Sequence, residues 1–393
     1  MNSISKALVA IVVIALIIWG ISAATSRNGE QGTAGGKGDR GNSSGGQTIK
    51  IGVIGPFTGD ASAYGEPLRN VVALAIEEVN AAGGVSGALL EAIYEDGKCN
   101  GKDAANAMQK LANVDKVEVV LGGFCSGESL ASVPIAEAAK VALFSPGSSS
   151  PDLTGISPFF FRNYPSDATQ GKVLANAARN MKGWKKVAVI QEQSDYALGN
   201  FKSFSENFSK LGGTTVREEF PSNTTDFRSI LVKLRSQSPD ALFINPQTPA
   251  TGERILKQLS DLNWRPALIL NDAFSGDPKT LENNKVILEG ALTAEFGTDV
   301  SNTKFARLLI EYKDKYAAEM PYQSYGQTEY DAVFMIVDAI KTVGYDGEKI
   351  AAWSRTVKDW EGASGKVTIE PSGDRTSGHV LKVIRNGFPE VGR

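Results

Sequence analysis

From Thr48 onward the apolar positions fall into two alternating rhythms. Short β-branched runs over 49–54, 89–94, 117–121 and 141–144 read as buried strands. Between them the apolar residues recur every three or four positions. Over 66–82, Val71, Val72, Leu74, Ala75, Ile76 and Val79 make one stripe, and Gly83-Gly84 ends it. Further helices are predicted over 102–113 and 126–139. After Arg162-Asn163-Tyr164-Pro165 the rhythm restarts, with helices over 168–181, 198–211, 226–236 and 250–262. The strands between and after them fall over 186–191, 215–219, 241–244 and 267–270. Two long helices, 303–317 and 325–343, and short strands over 366–369 and 379–384 close the chain.

Strands alternating with amphipathic helices predict an α/β fold with mainly parallel sheets and right-handed crossovers. Two such series followed by a helical return predict two doubly wound lobes joined by several crossing strands. The boundaries are placed at 48–166 with 294–372 for lobe 1, and 167–293 with 373–393 for lobe 2. A hinge of this kind permits closure around a guest.

Ahead of the folded part, residues 7–24 carry no charge over about 18 positions, just long enough for a membrane span. Ser22-Ala23-Ala24 also offers small residues for signal cleavage. Cleavage and retention as an anchor both fit, with retention slightly favoured. Either way the remainder lies outside the cytoplasmic membrane. Residues 25–47 are Gly- and Ser-rich without apolar period, as in a flexible linker.

Composition narrows the chemistry. A net charge of −3 argues against a nucleic-acid partner. The single histidine, His379, leaves no His-based metal cluster and only one possible His-dependent nucleophilic site; its place in a late strand suggests a structural residue near the surface. There is no GxSxG elbow, and the loop after the first strand lacks GxGxxG spacing. No catalytic residue, metal or cofactor is expected. The two cysteines, Cys99 and Cys125, pair if the protein is exported and stay free in the cytosol.

Candidate binding residues cluster at strand ends, where ligands of α/β folds sit. The run VEVVLGGFCSGESLASVP, 117–134, leads a strand into a helix whose first turn carries Ser126 and Glu128. Backbone N–H groups and the helix dipole favour an anion there. Ser145-Pro146-Gly147-Ser148-Ser149-Ser150-Pro151 follows the next strand with a second hydroxyl-rich turn. Two such turns could clamp a carboxylate, although serines at these places also serve as plain helix caps.

The stretches 49–59, 96–99, 122–126, 145–153, 193–196 and 362–368 resemble the type I periplasmic substrate-binding proteins of ABC transporters, within them the leucine/isoleucine/valine-binding group. The resemblance extends from Thr48 nearly to the C-terminus. It implies that Ser126 holds a ligand α-carboxylate and that Gly147, Ser148 and Ser149 hold carboxylate and ammonium from the next turn. It further implies that Tyr196 closes over the ligand from the second lobe, that Asp272 pairs with the ammonium, and that Tyr64 and Tyr325 touch the side chain. Gln247 stands where the group often has a second cleft tyrosine, and Asp272 is one methylene shorter than the usual Glu. Both departures favour a larger or more polar ligand. The implied function is extracytoplasmic capture of an amino acid, branched-chain or related, and delivery to the permease subunits of an ABC transporter by a monomer. The alternatives are a sensing ectodomain read by a partner membrane protein, and binding of a related amide or carboxylate.

Overall fold

The computed structural model describes residues 48–392. The expectations for 1–24 and 25–47 lie outside the described residues. Among the described residues no helix is long and apolar enough to cross a membrane.

The first sheet has the order β2-β1-β3-β4-β5 and is wholly parallel. Its strands are β1 (Thr48–Gly55), β2 (Leu89–Asp96), β3 (Val119–Leu121), β4 (Ala142–Ser145) and β5 (Phe160–Arg162). The connecting helices are α1 (Ser62–Ala81), α2 (Gly101–Asn113) and α3 (Ser126–Ala139). Register places Val53 beside Leu121, Val120 beside Leu143 and Phe144 beside Phe161. One core, around Val53, Leu68, Val72, Leu121 and Phe144, lies on one face, and a second, around Ile54, Met108, Leu111, Val120 and Leu143, on the other. With both faces covered, β3 and β4 are buried at every position, so they read as continuous apolar runs rather than alternating ones.

The second sheet has the order β14-β13-β10-β9-β8-β6-β7. Its parallel part comprises β6 (Lys186–Glu192), β7 (Thr214–Phe220), β8 (Ala241–Asn245), β9 (Ala267–Leu270) and β10 (Leu292–Phe296). Helices α4 (Asp167–Asn176), α5 (Asp195–Lys210), α6 (Arg228–Ser236) and α7 (Pro249–Asp261) accompany it. β13 (His379–Arg385) joins β10 antiparallel, and β14 (Phe388–Val391) forms the edge. Helices α8 (Thr303–Tyr316), α9 (Gln323–Val343) and α10 (Gly347–Ser354) return to the first sheet, where Phe305, Leu308, Val333, Ile336 and Ile350 enter its core. A hairpin of β11 (Trp360–Gly362) and β12 (Gly365–Val367) follows. The chain therefore passes between the sheets three times, after β5, after β10 and after β12.

Both sheets share one winding. In the first, β2 and β3 flank β1; in the second, β7 and β8 flank β6. The winding direction reverses at β1/β3 and again at β6/β8. At such switch points the loops leave to opposite sides and open a crevice at the strand carboxyl ends.

Several elements depart from the pattern reading. β10 was not legible because Thr293 and Glu295 interrupt its apolar run; both are buried, and Glu295 meets Lys382 at 2.8 Å. β5 is only three residues long. The helix expected over 168–181 is regular to Asn176 and widens into a π turn over Ala177–Met181. His379, expected near the surface, is buried: β13 begins there, directly after the chain crosses between the sheets, and the ring packs under α4.

Candidate functional site

The two serine turns meet because β3 and β4 are neighbours. β3 runs into Gly122, whose φ of +139° suits glycine, and a Cβ there would lie 2.4 Å from the Ile54 carbonyl oxygen. The chain then enters α3 at Ser126. Glu128 is fully buried in the first turn and fastens this corner: its Oε2 accepts the Cys125 N–H and its Oε1 the Cys99 N–H, each at 2.9 Å. Burial raises its carboxyl to about 7, against the lowering effect of these backbone hydrogen bonds. The Cys99–Cys125 disulfide closes the same corner over a separation of 26 residues. Replacing both cysteines by serine is expected to cost about 3 kcal/mol; urea unfolding checks this, and an unmoved midpoint would contradict it.

Ser145 Oγ donates to the Gly123 carbonyl at 2.7 Å and accepts the Ser148 N–H at 2.9 Å. Ser126 Oγ accepts the Ser150 N–H at 3.1 Å, which leaves its own proton for a guest. Ser149 Oγ lies 2.8 Å from Asp167 Oδ2. Burial, then the neighbouring Asp272 charge, push the Asp167 carboxyl well up. The Ser149 hydroxyl donates its proton to Asp167, which leaves its oxygen free to accept from a guest. Ser148, expected at the ligand, faces inward instead. Its Oγ is 2.7 Å from Ser129 Oγ and 2.8 Å from the Gly123 carbonyl oxygen, which braces one turn against the other. Gly147 lies so close to Phe124 that a Cβ would meet the ring at 2.7 Å.

The second sheet contributes the opposite wall. Tyr196, in the first turn of α5, donates to Asp272 Oδ1 at 2.5 Å, and Tyr164 donates to Asp272 Oδ2 at 2.6 Å. His379 Nε2 stands 3.7 Å from Asp272 Oδ2 and 3.9 Å from Asp167 Oδ1, too far for hydrogen bonds. Burial works against the charged form of Asp272. The His379 ring and the two tyrosine hydroxyls together outweigh it and hold the carboxyl down to about 2. Glu192 Oε2 accepts the Gln247 N–H at 2.8 Å and fixes the loop after β8.

Tyr64, in the first turn of α1, donates across the crevice to the carbonyls of Ala273 at 3.0 Å and Gln247 at 3.3 Å. The two walls are thus in contact. They enclose a cavity of about 20 Å³, room for about one water, so the walls are closed on each other. Tyr64, Ser126, Gly147, Ser149, Tyr196, Gln247 and Tyr325 line it, so most of the residues singled out in the sequence come together. Phe124, Cys125 and Ala273 also line it; of these only Cys125 was singled out, for a disulfide and not for the ligand. Phe124 and Cys125 precede Ser126 directly, so the strand-to-helix signal covered them; Ala273 lends its backbone and has no sequence signature. Asp272 is one residue behind the lining, 2 % exposed, beneath Tyr196. The rings of Tyr64, Phe124 and Tyr325 pack at centroid distances of 5.1–6.2 Å, and Tyr325 stacks on Tyr164 at 4.7 Å.

A crevice between two switch points, bridged by Tyr64, is how a clamp for a small molecule is built. Residues 48–383 match the periplasmic binding protein family. The chain belongs to this family. Among related proteins, an amino acid binding protein of Pseudomonas aeruginosa is 26% identical over 313 residues, 78% of this chain and 82% of its own. The leucine-, isoleucine-, valine-, threonine-, and alanine-binding protein of the same organism is 27% identical over 336 residues, with coverages of 83% and 87%. Among solved structures, the leucine binding protein LivK of Thermotoga maritima superposes with a TM-score of 0.80 at 31% identity, covering 88% of this chain and 98% of that one. LivJ of Streptococcus pneumoniae, in complex with isoleucine, gives 0.78 at 27% identity, covering 88% and 99%. Members of this family are solute-binding proteins, and the two-lobed α/β architecture is theirs.

Proposed function

We propose that this protein is the extracytoplasmic solute-binding component of an ABC transporter, capturing an amino acid, branched-chain or related, between its lobes and delivering it to the permease. One observation carries the proposal. Hydroxyls of the first lobe line one wall of a small cavity, and on the opposite side the Asp272 carboxylate of the second lobe lies directly behind Tyr196, which lines it. A zwitterion needs an anion site and a cation site a few ångströms apart. Ser126, with the N-terminus of α3 behind it, takes the α-carboxylate. Ser149 and the Gly147 backbone supply further contacts. Asp272 takes the ammonium beside Tyr196; a carboxylate offers about four lone-pair sites and the tyrosines occupy two. Tyr64, Gln247 and Tyr325 face the remainder of the guest. Because the contacts are divided between lobes, only the closed form makes all of them, and the ligand shifts the equilibrium toward closure. The uncharged stretch 7–24 holds the protein at the outer face of the membrane when retained, or directs export when cleaved, and the chain works as a monomer.

The double variant Ser126→Ala/Ser149→Ala is expected to bind L-leucine or L-isoleucine more than tenfold more weakly in calorimetry. Two hydrogen bonds to a charged group, each worth about 1.5–3 kcal/mol, would be lost. Undiminished affinity would remove the carboxylate clamp.

A further inference from the structure

Three ionisable side chains meet behind the wall of the ligand cavity, each from a different part of the chain. Asp167 opens α4, Asp272 follows β9, and His379 opens β13. One atom of each, Asp167 Oδ1, Asp272 Oδ2 and His379 Nε2, lies within 4.8 Å of the other two. Nε2 is 3.7 Å from Asp272 Oδ2 and 3.9 Å from Asp167 Oδ1. The side chains of Asp167 and His379 are wholly buried. Among the described residues neither Asp167 Oδ1 nor His379 Nε2 has a hydrogen-bond partner. A buried polar atom ordinarily has one, because leaving it bare is costly. Two such atoms turned to one spot, with a carboxylate oxygen beside them, mark a place for something that bonds to all three.

The far side of each group is already held. Thr169 Oγ1 donates its only proton to the Ser166 carbonyl at 2.9 Å, so at 2.7 Å it accepts from His379 Nδ1. In the neutral ring this leaves the Nε2 lone pair for the gap. Ser149 Oγ donates to Asp167 Oδ2 at 2.8 Å, and Tyr196 donates to Asp272 Oδ1 at 2.5 Å. Tyr164 donates to Asp272 Oδ2 at 2.6 Å, an oxygen that keeps a further lone pair. Ligands oriented from behind by such hydrogen bonds are the usual build of a metal centre. Zinc takes His nitrogen and Asp oxygen at about 2.0–2.2 Å, which puts two of its ligands about 3.4 Å apart at the tetrahedral angle. The 3.7 and 3.9 Å gaps need only small shifts to meet this, whereas no hydrogen bond from Nε2 spans them. A divalent ion would also balance the two carboxylates that face each other here.

We infer that Asp167, Asp272 and His379 form a site for a divalent transition-metal ion, zinc by the ligand set, behind the wall of the ligand cavity. One histidine and two aspartates so far apart in the chain make no motif. Zinc held there draws on the Asp272 charge that would meet an ammonium. Metal and amino acid should therefore oppose each other, by the same factor in both directions; this consequence rests on the function proposed above.

The experiment titrates protein dialysed against a chelator with ZnCl2 by calorimetry, then with L-leucine in the presence and absence of zinc, for the wild type, Asp167→Asn and His379→Gln. The wild type should bind one zinc. Each variant should bind it about a hundredfold more weakly, since even changes behind the ligands cost about 10–100-fold. Saturating zinc should weaken leucine binding to the wild type about tenfold or more. Crystals grown with ZnCl2 should show an anomalous peak at the zinc edge between the three side chains, which locates the ion even where a variant fails to fold. No peak there, or equal zinc affinity in the wild type and the folded variants (an adventitious ion only), would overturn the site. Leucine affinity indifferent to zinc would overturn it as well. If the peak is present and no amino acid binds, the zinc site stands and the amino-acid reading falls.

Discussion

Asp272→Asn is expected to weaken amino-acid binding about a hundredfold while the protein stays folded. Asp272 is buried beneath Tyr196 and kept ionised by the His379 ring and two tyrosine hydroxyls, at 2.5 and 2.6 Å. A guest's ammonium arriving there exchanges its water shell for a charge-assisted contact in a low-dielectric site. Removing one partner of such a buried pair costs about 2–5 kcal/mol, and about 1.4 kcal/mol is a factor of ten, so a hundredfold loss sits toward the lower end. Asparagine preserves the shape and one acceptor. The tyrosine hydroxyl left facing its amide can rotate and accept, which is why folding should survive. The control is the same measurement with 4-methylpentanoate, leucine without its amino group. Its weaker binding should change far less. An equal loss for both ligands would show that Asp272 acts on the cavity's shape and not on the ammonium.

How much of this was legible in the chain depends on how local the information is. β3 with α3, and β4 with its turn, are written in consecutive residues, since an apolar run followed by Gly and Ser has few alternatives in an α/β series. Tyr64 and Tyr196 lie in segments that follow strands, which put them near the carboxyl ends, but it was the resemblance to a known family and not the pattern that tied them to the ligand. Asp167 and His379 were not legible as site neighbours. They are more than two hundred positions apart and meet only because β13 pairs with β10 after the last crossing. Ser148 was misplaced for a complementary reason. Three hydroxyls in a row look alike in sequence, and only the close approach of two strand-end loops decides which one turns inward, toward Ser129 and Gly123.

Asp374→Ala is expected to destabilise the protein by about 4 kcal/mol and to loosen the ligand-binding turn with it. Arg162 is wholly buried at the end of β5. Its Nε donates to Asp374 Oδ1 at 2.8 Å, Nη1 donates to the carbonyls of Ser148 and Ser150 at 3.1 and 2.9 Å, and Nη2 donates to Thr154 Oγ1 at 3.1 Å. Thr154 in turn donates to Asp374 Oδ2 at 2.7 Å. One guanidinium thus holds both flanks of Ser149, while the carboxylate that balances it comes from the third crossing segment. That segment is also tied to β5 by the Arg162 N–H on the Gly373 carbonyl at 2.9 Å. Removing the carboxylate leaves a buried cation unpaired, which typically costs about 3–5 kcal/mol. Urea unfolding should show the loss as a lower midpoint with little change in slope. Arg162→Met combined with Asp374→Ala removes both charges, and it should recover more than half of the loss, since an apolar replacement of a whole buried pair is often close to neutral. Recovered stability without recovered affinity for L-leucine would assign the guanidinium to holding the turn in its binding geometry. If the single and double variants lose equally, the pair matters as packing and not as charge.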